Sequence, residues 1–181
     1  MVQVIRDATA ADAAAMLAIY APVVRDTAIS FEYEPPSLAE FGQRLASVLP
    51  DWPWLVLELA GEVKGYAYAK TWRERAAYQW TVETTIYLAE SARGHGLGKV
   101  LYGRLLQDLT GLGYRLAIGG LTLPNPASER LHAALGFRLV GHYHKCGFKY
   151  GQWWDVAFYE RELAPRVDSD PRPPRRYGGR A

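Results

Sequence analysis

Residues Trp80–Gly111 read WTVETTIYLAESARGHGLGKVLYGRLLQDLTG, and the change of texture along them decides the fold. WTVETTIYL is rich in β-branched and aromatic side chains, as a strand requires. RGHGLG then supplies glycines for a tight turn, and a helix is expected to begin near Gly98. A strand that enters a helix through such a turn presents unpaired backbone N–H groups together with the positive end of the helix dipole, which suits a phosphate group. Glycines of this kind also serve tight connections that bind nothing. Two common phosphate motifs fail on spacing. A P-loop needs Gly, four residues and then Gly-Lys-Ser/Thr, whereas Arg93 stands in the first position and Val100 follows Gly98-Lys99, so magnesium would lack its hydroxyl ligand. A dinucleotide turn needs G-x-G-x-x-G, whereas Gly94, Gly96 and Gly98 are evenly spaced and Lys99 fills the last position.

Outward from this unit, the chain divides into further elements. A short strand from Val2 to Arg6 precedes Thr9 and Asp12, which open an alanine-rich helix running to about Val24. Ser37 and Glu40 form a capping box for a second helix, whose apolar stripe is Leu38, Phe41, Leu45 and Val48 and which Pro50 and Pro53 end. Trp54–Ala60 and Val63–Lys70 alternate around Gly61-Glu62 and predict a hairpin. After the glycine turn and its helix, Arg115–Thr122 has few polar side chains and reads as a buried strand. Asn125 is an apt N-cap, with Pro126 at the first position of a last helix. Phe137–His144 and Trp153–Glu162 are expected to complete the sheet. The order β-α-α-β-β-β-α-β-α-β-β predicts an α/β fold, a mixed sheet with helices on both faces.

The 181 residues and 49% hydrophobic content fit one domain with a substantial core. The formal net charge is +2, but the segment after Ala164 carries five Arg and two Asp, which leaves the rest of the chain at −1. A near-neutral body argues against a nucleic-acid surface. The domain is therefore expected to span residues 1–164, with 165–181 as a flexible Pro/Arg-rich tail. Cys146 is the only cysteine and has no internal disulfide partner, and the N-terminus lacks the basic and apolar regions of a signal peptide. The apolar run Ala13–Val24 is too short to span a bilayer, so no membrane role and a cytoplasmic location are expected.

Arg93, Gly96 and Gly98 satisfy R/Q-x-x-G-x-G/A, and about 30 residues on stands NPASERLHAALGF, Asn125–Phe137. These segments, with the N-terminal strand and helix in the right order, resemble the GNAT acetyltransferases. The resemblance implies the GNAT fold, a mixed and mostly antiparallel sheet of about seven strands, and acetyl-CoA as co-substrate with no metal. It places the acyl group and pantetheine arm along Ile86, Tyr87, Leu88, Asn125 and Ser128, and the pyrophosphate at Arg93, Gly94, His95, Gly96, Leu97, Gly98 and Lys99. One oxyanion donor is implied near Tyr87 and Leu88, where a bulge would splay the strand from its neighbour.

Acetyl transfer to an amine needs a base, an oxyanion donor and an acid for the departing thiolate. Alternation places Thr81, Glu83, Thr85 and Tyr87 on one face of the strand and Val82, Thr84, Ile86 and Leu88 on the other. Glu is a poor strand former, so Glu83 is read as a cleft carboxylate acting as base directly or through water. An edge position facing solvent is the structural alternative. The superfamily usually has Tyr four residues before the Gly-Phe pair, where this chain has His132, which would protonate the thiolate or bind a water that does so. A histidine that merely packs on the helix is the alternative. In WRERAAY, Trp72–Tyr78, Arg73 and Arg75 are two apart and share one side of an extended segment; two guanidinium forks suit carboxylates or phosphinates.

YQWTVETTIYL, the double-arginine loop, NPASERLHAALGF and GFKYGQWWDVAFYE are together similar to the phosphinothricin acetyltransferase family, over Ala28 to about Glu162. Members acetylate the α-amine of phosphinothricin, methionine sulfoximine and related analogues. The similarity implies that Phe31, Arg73, Arg75, Tyr78 and Thr85 line the amino-acid pocket and that Glu83 and His132 are catalytic. Tyr150 and Trp154 stand where phosphinothricin-active members commonly have histidines, which leaves the favoured amine open. A homodimer is also expected, from the family and from the tryptophan-rich Trp153–Glu162 strand. The rival readings are a GNAT enzyme acting on a protein N-terminus or an aminoglycoside, and a silent CoA-binding module. The basic loop has the wrong sign for an aminoglycoside.

Overall fold

The structure is a computed structural model describing residues 3–165 and 171–178. The elements run β1 (Gln3–Asp7), α1 (Ala13–Asp26), α2 (Leu38–Val48), β2 (Trp54–Leu59), β3 (Glu62–Thr71), β4 (Thr81–Leu88), α3 (Leu97–Leu112), β5 (Leu116–Leu123), α4 (Pro126–Ala134), β6 (Arg138–Lys149) and β7 (Gln152–Glu162). One seven-stranded sheet has the order β1-β2-β3-β4-β5-β7-β6. Every neighbouring pair is antiparallel except β4 and β5, which run parallel. The mixed, mostly antiparallel sheet expected from the sequence is therefore present.

Two apolar layers sandwich the sheet. On one face Val82, Leu55, Leu57 and Ala67 pack with Leu101, Tyr102, Leu105 and Leu109 of α3. On the other, Trp54, Val56 and Tyr66 pack with Met16, Tyr20, Val23 and Val24 of α1 and Phe41 and Leu45 of α2. Burying about one such Leu or Val side chain stabilises by roughly 1.5–3 kcal/mol, so these layers fix both helices to the sheet. The predicted capping box is made: Ser37 Oγ accepts from the Glu40 N–H at 3.2 Å, and Glu40 accepts the Ser37 N–H at 2.7 Å. Thr9 and Asp12 form a second box on a short 3-10 turn, Ala10–Asp12, that leads into α1.

Three local features depart from the sequence reading. The β4–β5 register covers only Thr81–Glu83 against Leu116–Ile118, so beyond Glu83 the two strands splay apart. The opening that the resemblance put at a bulge near Tyr87 and Leu88 is thus a divergence that starts earlier; β4 itself pairs regularly with β3 through Leu88. Second, β6 does not stop at His144 but continues to Lys149 through irregularities between Leu139 and Gly141 and between Tyr143 and Gly147. Tyr150 (φ 52°) and Gly151 (φ 73°) close the β6–β7 hairpin, the two positive φ values that a two-residue I′ turn requires. Third, the segment after Ala164 includes 171–178, which lies against the body. Arg175 N donates to Leu112 O (2.9 Å), Tyr177 N to Asp51 O (3.1 Å), and Trp80 Nε1 to Arg172 O (3.0 Å). Val2, Arg166, Asp168, Asp170 and Arg180 of the sequence reading lie outside the described residues.

Candidate active site

The splay opens a cavity of about 460 Å³. Its walls include Glu83 to Tyr87 of β4, Gly120 to Thr122 of β5, Asn125 at the start of α4, and Ser128 and His132 of α4. Glu83 and Thr85 project to the α1/α2 face, where they pair in register with Lys70 and Tyr68. The Lys70 ammonium stands 3.5 Å from the Glu83 carboxylate. His132 lies on the opposite face: a Cβ on Gly119 would sit 2.6 Å from its Nε2, so glycine there lets the imidazole rest on β5. Base and acid candidates therefore reach one wedge from the two faces of the sheet.

His132 is 3% exposed. Its Nδ1 lies 2.8 Å from the Ser128 carbonyl, and its Nε2 lies 3.3 Å from the Tyr102 hydroxyl. The Tyr102 hydroxyl is 2.7 Å from Thr84 Oγ1, which lies 3.1 Å from the Ile118 carbonyl. A carbonyl only accepts, so neutral His132 carries its proton on Nδ1 and Nε2 accepts from Tyr102. Burial holds the His132 pKa below its ordinary value and pushes the Tyr102 hydroxyl up, so both are neutral near pH 7.

At the far end of β4 the turn is built on backbone that favours glycine. Gly94 has φ 81° and Gly96, the N-cap of α3, has φ 76°, with open space where each Cβ would stand. Lys99 and Val100 give the first bonds of α3, both to the Gly96 carbonyl, so the amides of Leu97 and Gly98 are N-terminal donors without intrahelical partners. Arg93, His95 and Lys99 are exposed beside them. Gly98 differs: its Cβ would meet Leu131 and Leu88 at 3.3 Å, so it serves packing of α3 on α4. The turn fits a pyrophosphate, since it combines free amides, a helix N-terminus and room for close approach. Asn125 caps α4, its Oδ1 accepting from Ser128 N at 3.2 Å.

The amino-acid pocket residues divide. Thr85 lines the cavity with Glu83, whereas Phe31, Arg73, Arg75 and Tyr78 are not among its walls. Arg73 stacks 5.5 Å from both the Trp72 and the Tyr78 ring, and the segment bends into a 3-10 turn, Ala76–Tyr78, instead of running extended. Arg73 and Arg75 lie between the end of β3 at Thr71 and that turn, in a loop outside the sheet. Trp72 meets the Phe158 ring edge-on at 5.8 Å, and Phe158 lies on Gly120 of the cavity wall. Phe31 is wedged against Gly147, where no Cβ would fit.

Several residues of this region were not singled out by the sequence. Arg44 and Glu32 make a two-point ion pair (2.6 and 3.2 Å) in the cavity wall, and Tyr20 donates to Glu32 at 3.1 Å. Burial pushes the Tyr20 hydroxyl up to about 12. Lys149 is buried and donates to the carbonyls of Val24 (2.6 Å), Thr27 (2.9 Å) and Ser30 (2.7 Å), which ties the β6–β7 turn to the loop that carries Phe31. Tyr102, the other site residue the sequence reading passed over, is the one that helical spacing behind the glycine turn could have flagged.

The Acetyltransferase (GNAT) domain family matches residues 5–158. A phosphinothricin N-acetyltransferase of Streptomyces viridochromogenes is 39% identical over 94% of this chain and 92% of its own. The chain belongs to the GNAT acetyltransferase family. Among other relatives of this GNAT protein, the L-methionine sulfoximine/L-methionine sulfone acetyltransferase of Pseudomonas paraeruginosa is 35% identical over 89% of this chain and 95% of its own. The crystal structure of a GNAT phosphinothricin acetyltransferase from Sinorhizobium meliloti in complex with AcCoA superposes with TM-score 0.90 at 40% identity, covering 95% of this chain and 94% of that one. Among the described residues, no helix is long and apolar enough to cross a membrane.

Proposed function

We propose that this GNAT enzyme transfers acetyl from acetyl-CoA to the α-amine of a small amino acid or analogue of the phosphinothricin, methionine sulfoximine or methionine sulfone type. The observation that carries the reading is the wedge beyond Glu83, which joins a carboxylate on one face of the sheet to the His132–Tyr102 pair on the other. When bound, acetyl-CoA supplies an activated acyl thioester. The amides of residues 94–98, with Arg93 and Lys99, bind its pyrophosphate; Asn125 and Ser128 follow the pantetheine arm. Along β4 the N–H groups alternate between its edges; Tyr87 N–H turns to β3, and those of Ile86 and Leu88, on the edge that β5 no longer pairs, meet the acyl oxygen. Glu83 takes a proton from the acceptor ammonium, directly or through water, which frees the lone pair for attack.

His132 acts through Tyr102. With its Nδ1 proton committed to Ser128 and its Nε2 accepting from Tyr102, it positions that hydroxyl beside the wedge, and the second proton shed by the acceptor nitrogen passes through water to the leaving thiolate. Arg73 and Arg75 meet the acceptor's anionic groups, supported by the Trp72–Phe158–Gly120 stack that sets their loop beside the cavity wall. Thr85, Tyr78 and Phe31 complete that side. The protein acts in the cytoplasm and as a homodimer; Phe148 and Trp153, directly paired across β6 and β7, leave exposed aromatic surface that a second copy would cover.

The deciding experiment is a thiol-release assay over a panel of amines. Methionine sulfoximine, methionine sulfone and phosphinothricin are expected to be acetylated with much higher kcat/KM than their decarboxylated counterparts. Equal values would remove the amino-acid reading and favour a protein N-terminus as acceptor.

A further inference from the structure

The β6–β7 hairpin carries a side-chain cluster away from the proposed acetyl-transfer wedge. His142 and His144 stand at alternate positions of β6 and so share a face, and their rings lie 4.2 Å apart. Between Tyr143 and Gly147 the strand bulges, with Lys145 at φ 49°, and Asp155 of β7 sits opposite the bulge. The Lys145 N–H donates to one Asp155 oxygen at 2.8 Å. That bond turns the other oxygen, Oδ2, toward both rings: His142 Nε2 is 2.8 Å away and His144 Nδ1 is 3.2 Å away. Two imidazole nitrogens and a carboxylate oxygen thus converge, all within 4.8 Å of one another and open to solvent.

We propose that His142, His144 and Asp155 bind one divalent transition-metal ion of the zinc class. An ion about 2.0–2.2 Å from each donor fits between them after small rotations of exposed side chains, with water in the remaining positions. The donor set selects the metal. Imidazole favours zinc, nickel or cobalt over magnesium and calcium, which prefer oxygen alone. The Lys145 amide supplies the outer support that orients a ligating carboxylate. The ion would cross-link β6 to β7 beside Gly147, against which Phe31 packs, so its role is to brace the hairpin that seats Phe31.

The test is calorimetric titration of zinc chloride into the full chain, stripped with chelator and carrying no histidine tag. One ion per chain and a rise in thermal midpoint with zinc are expected. His142→Gln and Asp155→Asn are each expected to weaken binding by roughly tenfold or more. Cys146→Ser, which removes the exposed thiol of the same bulge, is expected to leave the affinity unchanged. Should Asp155→Asn fail to fold, the double variant H142Q/H144Q decides alone, since both side chains lie outside the core. Absence of saturable binding to the wild type, retention of it in the histidine variants, or its loss in Cys146→Ser overturns the proposal.

Discussion

The Tyr102 hydroxyl and His132 Nε2 face each other at 3.3 Å beneath the wedge, while His132 Nδ1 is committed to the Ser128 carbonyl at 2.8 Å. Burial lowers the pKa of this ring in the folded protein, whereas an unfolded histidine titrates near about 6.5. Below that pH the unfolded chain takes up a proton that the native ring resists, so stability is present at higher pH and lost as pH falls. His132→Asn is expected to be less stable than the wild type at about pH 8, yet to lose less further stability on going to about pH 5. Urea midpoints of both proteins at the two pH values make the comparison. Parallel losses would show that another group governs the acid limb.

Glu83 stands at the last paired position before β4 leaves β5, which gives its carboxylate access to the wedge. Glu83→Gln keeps the shape and removes the basicity, so kcat is expected to fall by roughly 100-fold or more, with acetyl-CoA binding retained. Wild-type turnover in this variant would transfer the role of base to another residue or to solvent.

The parts of this site legible in the sequence are those that local rules determine. The strand alternation around Glu83, the Ser37–Glu40 capping box, the Asn125 cap and the glycine turn each need only a few neighbouring residues, and each appears where the spacing puts it. What long-range pairing decides was not legible. The splay depends on where β5 stops following β4, and β6 runs past His144 because β7 continues to pair beyond a bulge. Tyr150-Gly151 lacks the Asn-Gly signal of a I′ turn; it is held by the Tyr150 hydroxyl, which donates to Val24 O at 3.0 Å. Lys149 looks like a surface residue until three carbonyls of the α1 end and its following loop enclose it.

Asp12 joins α1 to the sheet edge through Arg6, which donates to both carboxylate oxygens at 2.8 and 2.7 Å and also to Glu58. The Arg6 hydrogen bond is the main reason the Asp12 carboxyl titrates at about 2. A carboxyl depressed by that much contributes about 2 kcal/mol at neutral pH, lost as pH falls through the folded value. Asp12→Asn is expected to cost about this much at pH 7, with the gap to the wild type closing below about pH 4. Equilibrium urea unfolding across this range measures it. A gap independent of pH would assign the loss to the capping box instead.

Gly96 combines a φ of 76° with open space where its Cβ would stand. Gly96→Val strains the backbone and fills the room a pyrophosphate needs. KM for acetyl-CoA is expected to rise at least about tenfold in a folded protein, the loss of one charged hydrogen-bonded contact. Calorimetry with coenzyme A separates binding from turnover, and unchanged affinity would take the turn out of the site.

Trp153, 60% exposed on β7, packs 5.2 Å from Phe148, its partner across the hairpin and also exposed. Exposed aromatic surface on the last two strands of a sheet favours association, and aromatic side chains dominate the energetics of such contacts. Light scattering at micromolar concentration is expected to give the mass of two chains for the wild type. Trp153→Glu sets a charge in the aromatic pair, where desolvation opposes association, and is expected to shift the mass toward one chain without loss of helical signal. Because Lys149 and Tyr150 at the end of this hairpin hold the loop bearing Phe31, the variant is also expected to raise KM for the amine more than it lowers kcat. A wild-type protein that stays monomeric at every concentration would refute the dimer and, with it, the link between assembly and acceptor binding.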